Sequence, residues 1–263
     1  MRFGRIATPE GMTFAVINDE ATTAKQIAGT PFTEPEYTGK EWKMDEVRLL
    51  APMLPSKIIA IGRNYADHVE EVFKESAEHL PPTLFIKPPT AVIGPEAAIK
   101  IPDFATKVEF EGELALVVGK PCKNVKAEDW RSVIAGVTIV NDVSSRDLQF
   151  ADGQWARAKG IDTFCPLGPW IETDLDKFDF DDLPIKAHLT QNGVTETKQD
   201  SNSNQMIMKL GEILEFITAS ITLLPGDVIC TGSPAGTAAM FPGDRIEVEI
   251  PGIGKLANPV ERA

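Results

Sequence analysis

Glu111 and Glu113 stand at i and i+2 in Lys107-Val108-Glu109-Phe110-Glu111-Gly112-Glu113, directly ahead of the apolar run Leu114-Ala115-Leu116-Val117-Val118. Such a run reads as a buried strand. Alternate strand residues share a face, so the two carboxylates are expected to project together. Asp142 has a matching setting, just after Gly136-Val137-Thr138-Ile139-Val140. Three anionic groups at the ends of two buried strands would repel one another at close range. A divalent cation removes that repulsion and prefers oxygen ligands. Solvated strand-end acids are the alternative, and the spacing alone does not choose. Glu109 shares the parity of the pair and, as the strand start, is expected to be exposed rather than to stand behind the site.

A second group of residues could move protons. In Tyr65-Ala66-Asp67-His68-Val69-Glu70-Glu71, His68 and Glu71 share a face if the segment is helical. A carboxylate beside an imidazole orients it and raises its pKa, as a general base requires. A solvated helix face with a weak ion pair is the alternative. Lys159, in Ala158-Lys159-Gly160-Ile161-Asp162, could bind a substrate carboxylate or oxyanion, or be a surface cation.

The elements that must position these groups are short. Residues 2–7 and 12–18 flank Thr8-Pro9-Glu10-Gly11, a hairpin signal. Residues 19–46 are polar and are expected to wrap over the surface. Residues 1–50 thus read as a small β-rich appendage and 51–263 as the main domain. Strands are expected at 47–52, 57–62 and 83–87, with a polar helix from Ala66 to Glu78 stopped by Pro81-Pro82. Leu175 to Asp182 reads as a connector anchored by Phe178 and Phe180. Asn192-Gly193 marks a hairpin. Residues 204–218 carry apolar side chains at helical spacing, with 201–204 supplying the cap. Strands close the chain at 228–230 and 246–250. Strand and helix do not alternate regularly, which argues against a Rossmann or TIM-type fold and for a mixed, mainly-β one, α+β with few helices. Phosphate-loop and nucleophile-elbow patterns are absent from the sequence.

The net charge of −13 argues against nucleic acid and anionic membrane as partners. A small acidic substrate remains compatible, because a metal or a few local cations reverse the field inside a cleft. Cys122, Cys165 and Cys230 form an odd, unpatterned set, read as reduced, buried thiols. Without a signal peptide or an apolar stretch of ~18–20 residues, the chain is expected in the cytoplasm.

Several segments together resemble the fumarylacetoacetate hydrolase family. They are Ile61-Gly62-Arg63-Asn64-Tyr65-Ala66-Asp67-His68, Phe85-Ile86-Lys87-Pro88, Glu111-Gly112-Glu113-Leu114 and Asn141-Asp142-Val143-Ser144-Ser145-Arg146-Asp147-Leu148-Gln149. Ala158-Lys159-Gly160-Ile161-Asp162, Pro166-Leu167-Gly168-Pro169 and Thr231-Gly232-Ser233-Pro234-Ala235-Gly236 follow in the family's order. The resemblance covers roughly residues 47–263. It implies a mixed β-sandwich/roll, usually a homodimer, around Mg²⁺ or Mn²⁺ held by Glu111, Glu113 and Asp142. It implies a His68–Glu71 dyad on a short lid helix that orders over bound substrate, the lid Glu70 to Leu80 being part of the likeness, with Lys159 beside the metal. Arg63, Tyr65, Lys87, Gln149, Thr231, Gly232 and Ser233 are the substrate-binding residues it suggests, the 231–236 loop serving the substrate carboxylate.

The implied chemistry is that of small 2-oxo acids through a metal-stabilised enolate. Within the family the chain looks most like short soluble oxaloacetate decarboxylases, so C–C cleavage of oxaloacetate, or hydrolysis of an acylpyruvate, comes first. Isomerisation of 2-hydroxyhepta-2,4-diene-1,7-dioate or 5-carboxymethyl-2-hydroxymuconate, and oxaloacetate tautomerisation, are the alternatives. A non-catalytic metal-binding module is a reading of another class, in which His68 and Lys159 would be replaceable without consequence.

Overall fold

The computed structural model describes residues 1–74, 76 and 82–263. A 12-stranded sheet runs in the order Glu36–Lys43, Thr23–Ala28, Gly11–Ile17, Arg2–Thr8, Cys165–Glu172, Ile134–Asn141, Gly112–Val118, Val228–Cys230, Ile58–Gly62, Thr83–Lys87. Arg48–Leu50 and Val92–Ile93 pair off this path. A five-stranded sheet, Val194–Asn202, Pro184–Gln191, Arg245–Ile250, Gly254–Arg262, Ile99–Ile101, packs against it. Val108–Glu109 and Ser144–Ser145 form a short antiparallel pair between them in sequence and next to the acids.

The strand Gly112–Val118 is buried along its whole length because both of its faces are covered. Leu114, Leu116 and Val118 join a core with Ile185 and Leu189 of the smaller sheet and with Ile213, Leu214 and Ile217 of the helix Leu210–Ser220. Ala115 and Val117 face the other way, among Phe3, Ile27, Ile58 and Ala60. Each fully buried Leu or Ile in these layers contributes roughly 1.5–3 kcal/mol. Continuous hydrophobicity, rather than alternation, is the signature of such a strand.

Several expectations change. Residues 19–46 are not a surface wrap: they form the strands Thr23–Ala28 and Glu36–Lys43, and Arg2–Thr8 hydrogen-bonds to Cys165–Glu172 of the main sheet. A register shift between Lys25 and Ile27 breaks the two-residue period, and Glu36–Lys43 is an almost wholly exposed edge strand, so neither leaves a hydrophobic pattern. The helix carrying His68 is Ala66–Phe73, ended by Lys74 in the left-handed region at φ +58°. Most of the expected continuation to Glu78, Pro81 of the Pro81-Pro82 stop and most of the lid beyond Lys74 lie outside the described residues.

The late helix also begins later than its apolar spacing predicts, at Leu210, with Lys209 as its cap: the Lys209 N–H donates to the Glu212 carboxylate at 2.7 Å. Ile207 and Met208 are instead tied to Asn64, which accepts from Ile207 N–H at 2.8 Å and, through its side chain, from Met208 N–H at 2.7 Å. Asn202 caps only the short turn Ser203–Gln205. Other expectations hold: Phe178 and Phe180 are buried anchors, Asn192-Gly193 turns a hairpin, and the three cysteines are free and buried.

Asp227 is buried at the entry to Val228–Cys230 and accepts from Ser56 Oγ (2.5 Å), Lys57 Nζ (2.5 Å) and Leu224 N–H (2.7 Å). Asp227→Ala leaves these donors without their acceptor, and we expect a loss of about 3–5 kcal/mol in urea unfolding. A loss below about 1 kcal/mol would show that water replaces the carboxylate.

Candidate active site

Strand pairing brings the acids together. Gly112 opposes Asn141 and Glu113 opposes Val140, so the register extended by one residue sets Glu111 against Asp142. The backbone bond from Asp142 N–H to Glu111 C=O, 2.8 Å, continues the ladder there, and Glu111 N–H donates to Asn141 Oδ1 at 2.9 Å. Glu111, Glu113 and Asp142 are all buried and offer oxygens within 4.8 Å of one another.

Each carboxylate has different support. Lys159 Nζ donates to Glu111 Oε2 at 2.5 Å and to Asp142 Oδ2 at 2.8 Å. Arg146 reaches Glu111 Oε1 at 2.6 Å and donates to Glu109 at 2.8 Å and Gln149 at 2.8 Å. Lys87, fully buried, donates to Asp142 Oδ1 at 2.5 Å. Among the described residues, Glu113 receives only the Gly232 N–H, at 2.7 Å, and no ammonium or guanidinium of its own. Burial, Asp142 and Glu111 therefore push its carboxyl well above the usual range. Burial pushes Glu111 the same way, but Lys159 and Arg146 outweigh it and hold Glu111 well below.

His68 lies between the two groups. Its Nε2 is 3.3 Å from Glu111 Oε1, and its Nδ1 is 3.4 Å from Glu71 Oε2 without hydrogen-bond alignment. Burial disfavours the charged ring, but the Glu111 and Glu71 carboxylates prevail and raise its pKa. Glu71 is held by Gly236 N–H at 3.1 Å and by Thr237. Gly236 has φ +99°, and a Cβ there would come within 2.0 Å of the Lys198 carbonyl, so only glycine can present this N–H.

His68, Glu111, Glu113, Asp142, Arg146 and Lys159 line a small cavity of about 20 Å³. Glu111, Glu113, Asp142, Lys159 and His68 form its polar end, and Ile61, Phe73, Phe85 and Trp155 its apolar wall. Trp155 stacks on Phe73 (5.8 Å, 12°) and meets Phe85 edge-on (5.3 Å, 66°). Its ring lies against Gly62, where a Cβ would approach it to 2.4 Å. Lys159 Nζ sits 5.2 Å from the Phe85 ring centre, so aromatic faces flank the ammonium.

Arg63, Gln149 and Ser233 also line the pocket. Lys87, Tyr65 and Thr231 do not. Lys87 lies behind Asp142, the Tyr65 ring is fully buried, and the Thr231 hydroxyl donates to the Leu114 carbonyl at 2.9 Å. Gly232 contributes its N–H to Glu113 rather than to the pocket. Glu109 is buried against Arg146, not exposed. Sequence reasoning missed Arg146 as part of the site. Arg146 stood inside a recognised segment, and its setting between Val143 and Leu148 was the available signal.

The donor set fits a divalent cation. Glu111 pairs with Lys159 and Arg146, and Asp142 with Lys87 and Lys159, whereas Glu113 has no cation partner among the described residues, so a divalent cation among the three carboxylates would be the partner that lets Glu113 ionise. All-oxygen carboxylate donors suit Mg²⁺ or Mn²⁺. A second group, His188 with Glu247 and Glu249, lies on the smaller sheet, where Lys255 already bridges both glutamates at 2.8 and 3.3 Å.

Residues 57–261 match the fumarylacetoacetate (FAA) hydrolase C-terminal family, and residues 1–52 match the Rv2993c-like N-terminal family. Protein Rv2993c of Mycobacterium tuberculosis is 49% identical over 267 residues, covering 100% of this chain and 98% of that protein. The mitochondrial oxaloacetate tautomerase Fahd2a of Rattus norvegicus is 38% identical, covering 82% and 70%. Among solved structures, Cg1458 with inhibitor superposes with a TM-score of 0.98 at 75% identity over 100% of both chains. The 2-hydroxyhepta-2,4-diene-1,7-dioate isomerase of Mycobacterium marinum gives 0.89 at 47% identity, over 100% of this chain and 98% of that one. The maleylpyruvate hydrolase of Sphingobium sp. SYK-6, in complex with manganese(II) and pyruvate, gives 0.80 at 26% identity over 100% of both. No helix among the described residues is long and apolar enough to cross a membrane.

Proposed function

The chain belongs to the fumarylacetoacetate hydrolase family, and from that premise we propose that it is a divalent-metal-dependent enzyme acting on a small 2-oxo acid through an enolate, with oxaloacetate decarboxylation to pyruvate as the leading reaction. The observation that carries this reading is the buried triad Glu111, Glu113 and Asp142 opening into the same pocket as Lys159 and His68. Relatives that act on oxaloacetate, or bind manganese and pyruvate, support it.

Mg²⁺ or Mn²⁺ held by the triad would supply positive charge to the 2-oxygen as it becomes anionic. Lys159 aims its ammonium at the same region and stabilises the same charge. Phe85 and Trp155 keep water from that ammonium. In decarboxylation the C3–C4 bond breaks, carbon dioxide leaves, and the enolate takes a proton at C3. His68, beside Glu71, would deliver it. With an acylpyruvate, the same pair would take a proton from water attacking C4.

Tautomerisation is the second reading. It needs only the enolate and proton exchange at C3, and His68 is the pocket side chain whose ordinary pKa is nearest neutrality.

The test compares pyruvate release from oxaloacetate and acetylpyruvate with Mn²⁺ or with EDTA, while enol absorbance is followed. We expect cation-dependent release from oxaloacetate, reduced roughly 10²–10⁴-fold in His68→Gln. Release from acetylpyruvate would identify a hydrolase, and loss of enol without pyruvate a tautomerase. Absence of any cation-dependent change with either substrate would sink the 2-oxo-acid reading.

A further inference from the structure

Arg63 stands apart from the other cations of the pocket. Lys159 is paired with Glu111 and Asp142, and Arg146 with Glu109 and Glu111. Among the described residues, Arg63 has no carboxylate within ion-pair distance, and its buried Nε has no hydrogen-bond partner. Its guanidinium lies over the Phe73 ring, 4.8 Å from the centroid. A guanidinium does not deprotonate to escape partial burial, so an unpaired one carries a desolvation cost that an anion would offset.

The backbone holds it there. Arg63 has φ +65°, a region that side chains with a Cβ avoid. The next residue fixes the turn: Asn64 Nδ2 donates to the Thr231 and Met208 carbonyls at 2.8 and 3.1 Å, while Oδ1 accepts from Met208 N–H. The strained turn is thus anchored to the loop that supports Glu113 and Glu71. Ile61, Phe85 and Trp155 line the pocket that Arg63 shares with the acids and Lys159. The cavity therefore combines a polar end for a 2-oxo acid, an apolar wall, and a guanidinium whose fork matches a carboxylate.

We infer that Arg63 receives a second carboxylate, remote from the 2-oxo acid group, so that the enzyme selects 2-oxo diacids over neutral acylpyruvates. This rests on the 2-oxo-acid reading above and narrows it. The aromatic wall, closed by Trp155 against Gly62, favours a short diacid over an extended one.

A matched ligand pair isolates the carboxylate: 2-oxoglutarate, and 2-oxopentanoate, in which a methyl replaces it. Binding of each to the full-length, Mn²⁺-loaded protein is measured by calorimetry for wild type, Arg63→Met and Arg63→Lys. The wild type should bind the diacid at least about tenfold more tightly than the monoacid. Arg63→Met should erase that preference by weakening the diacid alone, and Arg63→Lys should keep part of it. Equal weakening of both ligands in Arg63→Met, or no preference in the wild type, overturns the inference while leaving the 2-oxo-acid reading intact. Failure of the wild type to bind either ligand overturns that reading and this inference with it.

Discussion

Above the folded-state pKa of Glu113, Glu113→Gln is expected to lower cation-dependent turnover by about 1,000-fold while raising the thermal midpoint of the EDTA-treated protein. The two effects have one cause. Glu113 is buried against Glu111 and Asp142 and, among the described residues, receives no cation of its own. An amide keeps an oxygen for the Gly232 N–H but removes the repulsion, and with it a donor for the cation. Asp142→Asn should lose turnover equally but move the midpoint the other way. Lys87 is fully buried and donates to Asp142, so the substitution strands an ammonium in the core. Breaking such a pair costs about 3–5 kcal/mol, or roughly 6–20 °C in a chain of this size. Scanning fluorimetry in EDTA reads both signs. A lower midpoint in Glu113→Gln would mean that the three acids are not in repulsive contact, and the charge argument for the cation would fall with it.

The acids were legible in the sequence because strands have a period of two and the runs that follow them are buried on both faces. Parity aligned Glu111 with Glu113, and antiparallel pairing of the two runs brought Asp142 beside them. Glu109 obeys the same parity, but its burial depends on Arg146, 37 residues away, which no local pattern reveals. Lys87 was misplaced although the signal existed: in Thr83–Lys87 it shares a face with Phe85, while Ile86 is exposed, so its ammonium had to find an internal carboxylate. The edge strand Glu36–Lys43 left no signal because it is held by backbone bonds with nearly every side chain in water. Ile207 and Met208 read as helix because side-chain spacing does not report that Asn64 has taken their backbone groups. The i, i+3 spacing paired His68 with Glu71 and the resemblance placed the pair on the lid, but the glycine N–H that steadies Glu71 comes from the 231–236 loop, assigned instead to the substrate.

Cation binding is expected to release protons and to strengthen as pH rises. Glu113, held well above the usual carboxylate range by burial, Asp142 and Glu111, keeps a proton that the cation must displace. Below its folded-state pKa, each unit of pH lost should weaken Mn²⁺ binding by up to about tenfold, and above it that dependence should vanish. His68 acts in the same direction. Its raised pKa, won against burial by Glu111 and Glu71, keeps positive charge beside a ligand oxygen until the ring loses its proton. Folding stability in EDTA has the opposite slope. A carboxyl whose folded pKa lies above its unfolded value contributes stability below the unfolded pKa, and that contribution is lost as pH rises through the folded pKa. The EDTA-treated protein should therefore lose stability from Glu113 over the interval in which cation affinity grows, and Glu113→Gln should flatten that loss. Calorimetric Mn²⁺ titrations between about pH 5 and 8, in two buffers of different ionisation enthalpy, count the protons directly. An affinity independent of pH, with heats independent of buffer, would mean that Glu113 is already ionised in the folded protein and that Lys159 compensates it more fully than its contacts with Glu111 and Asp142 imply.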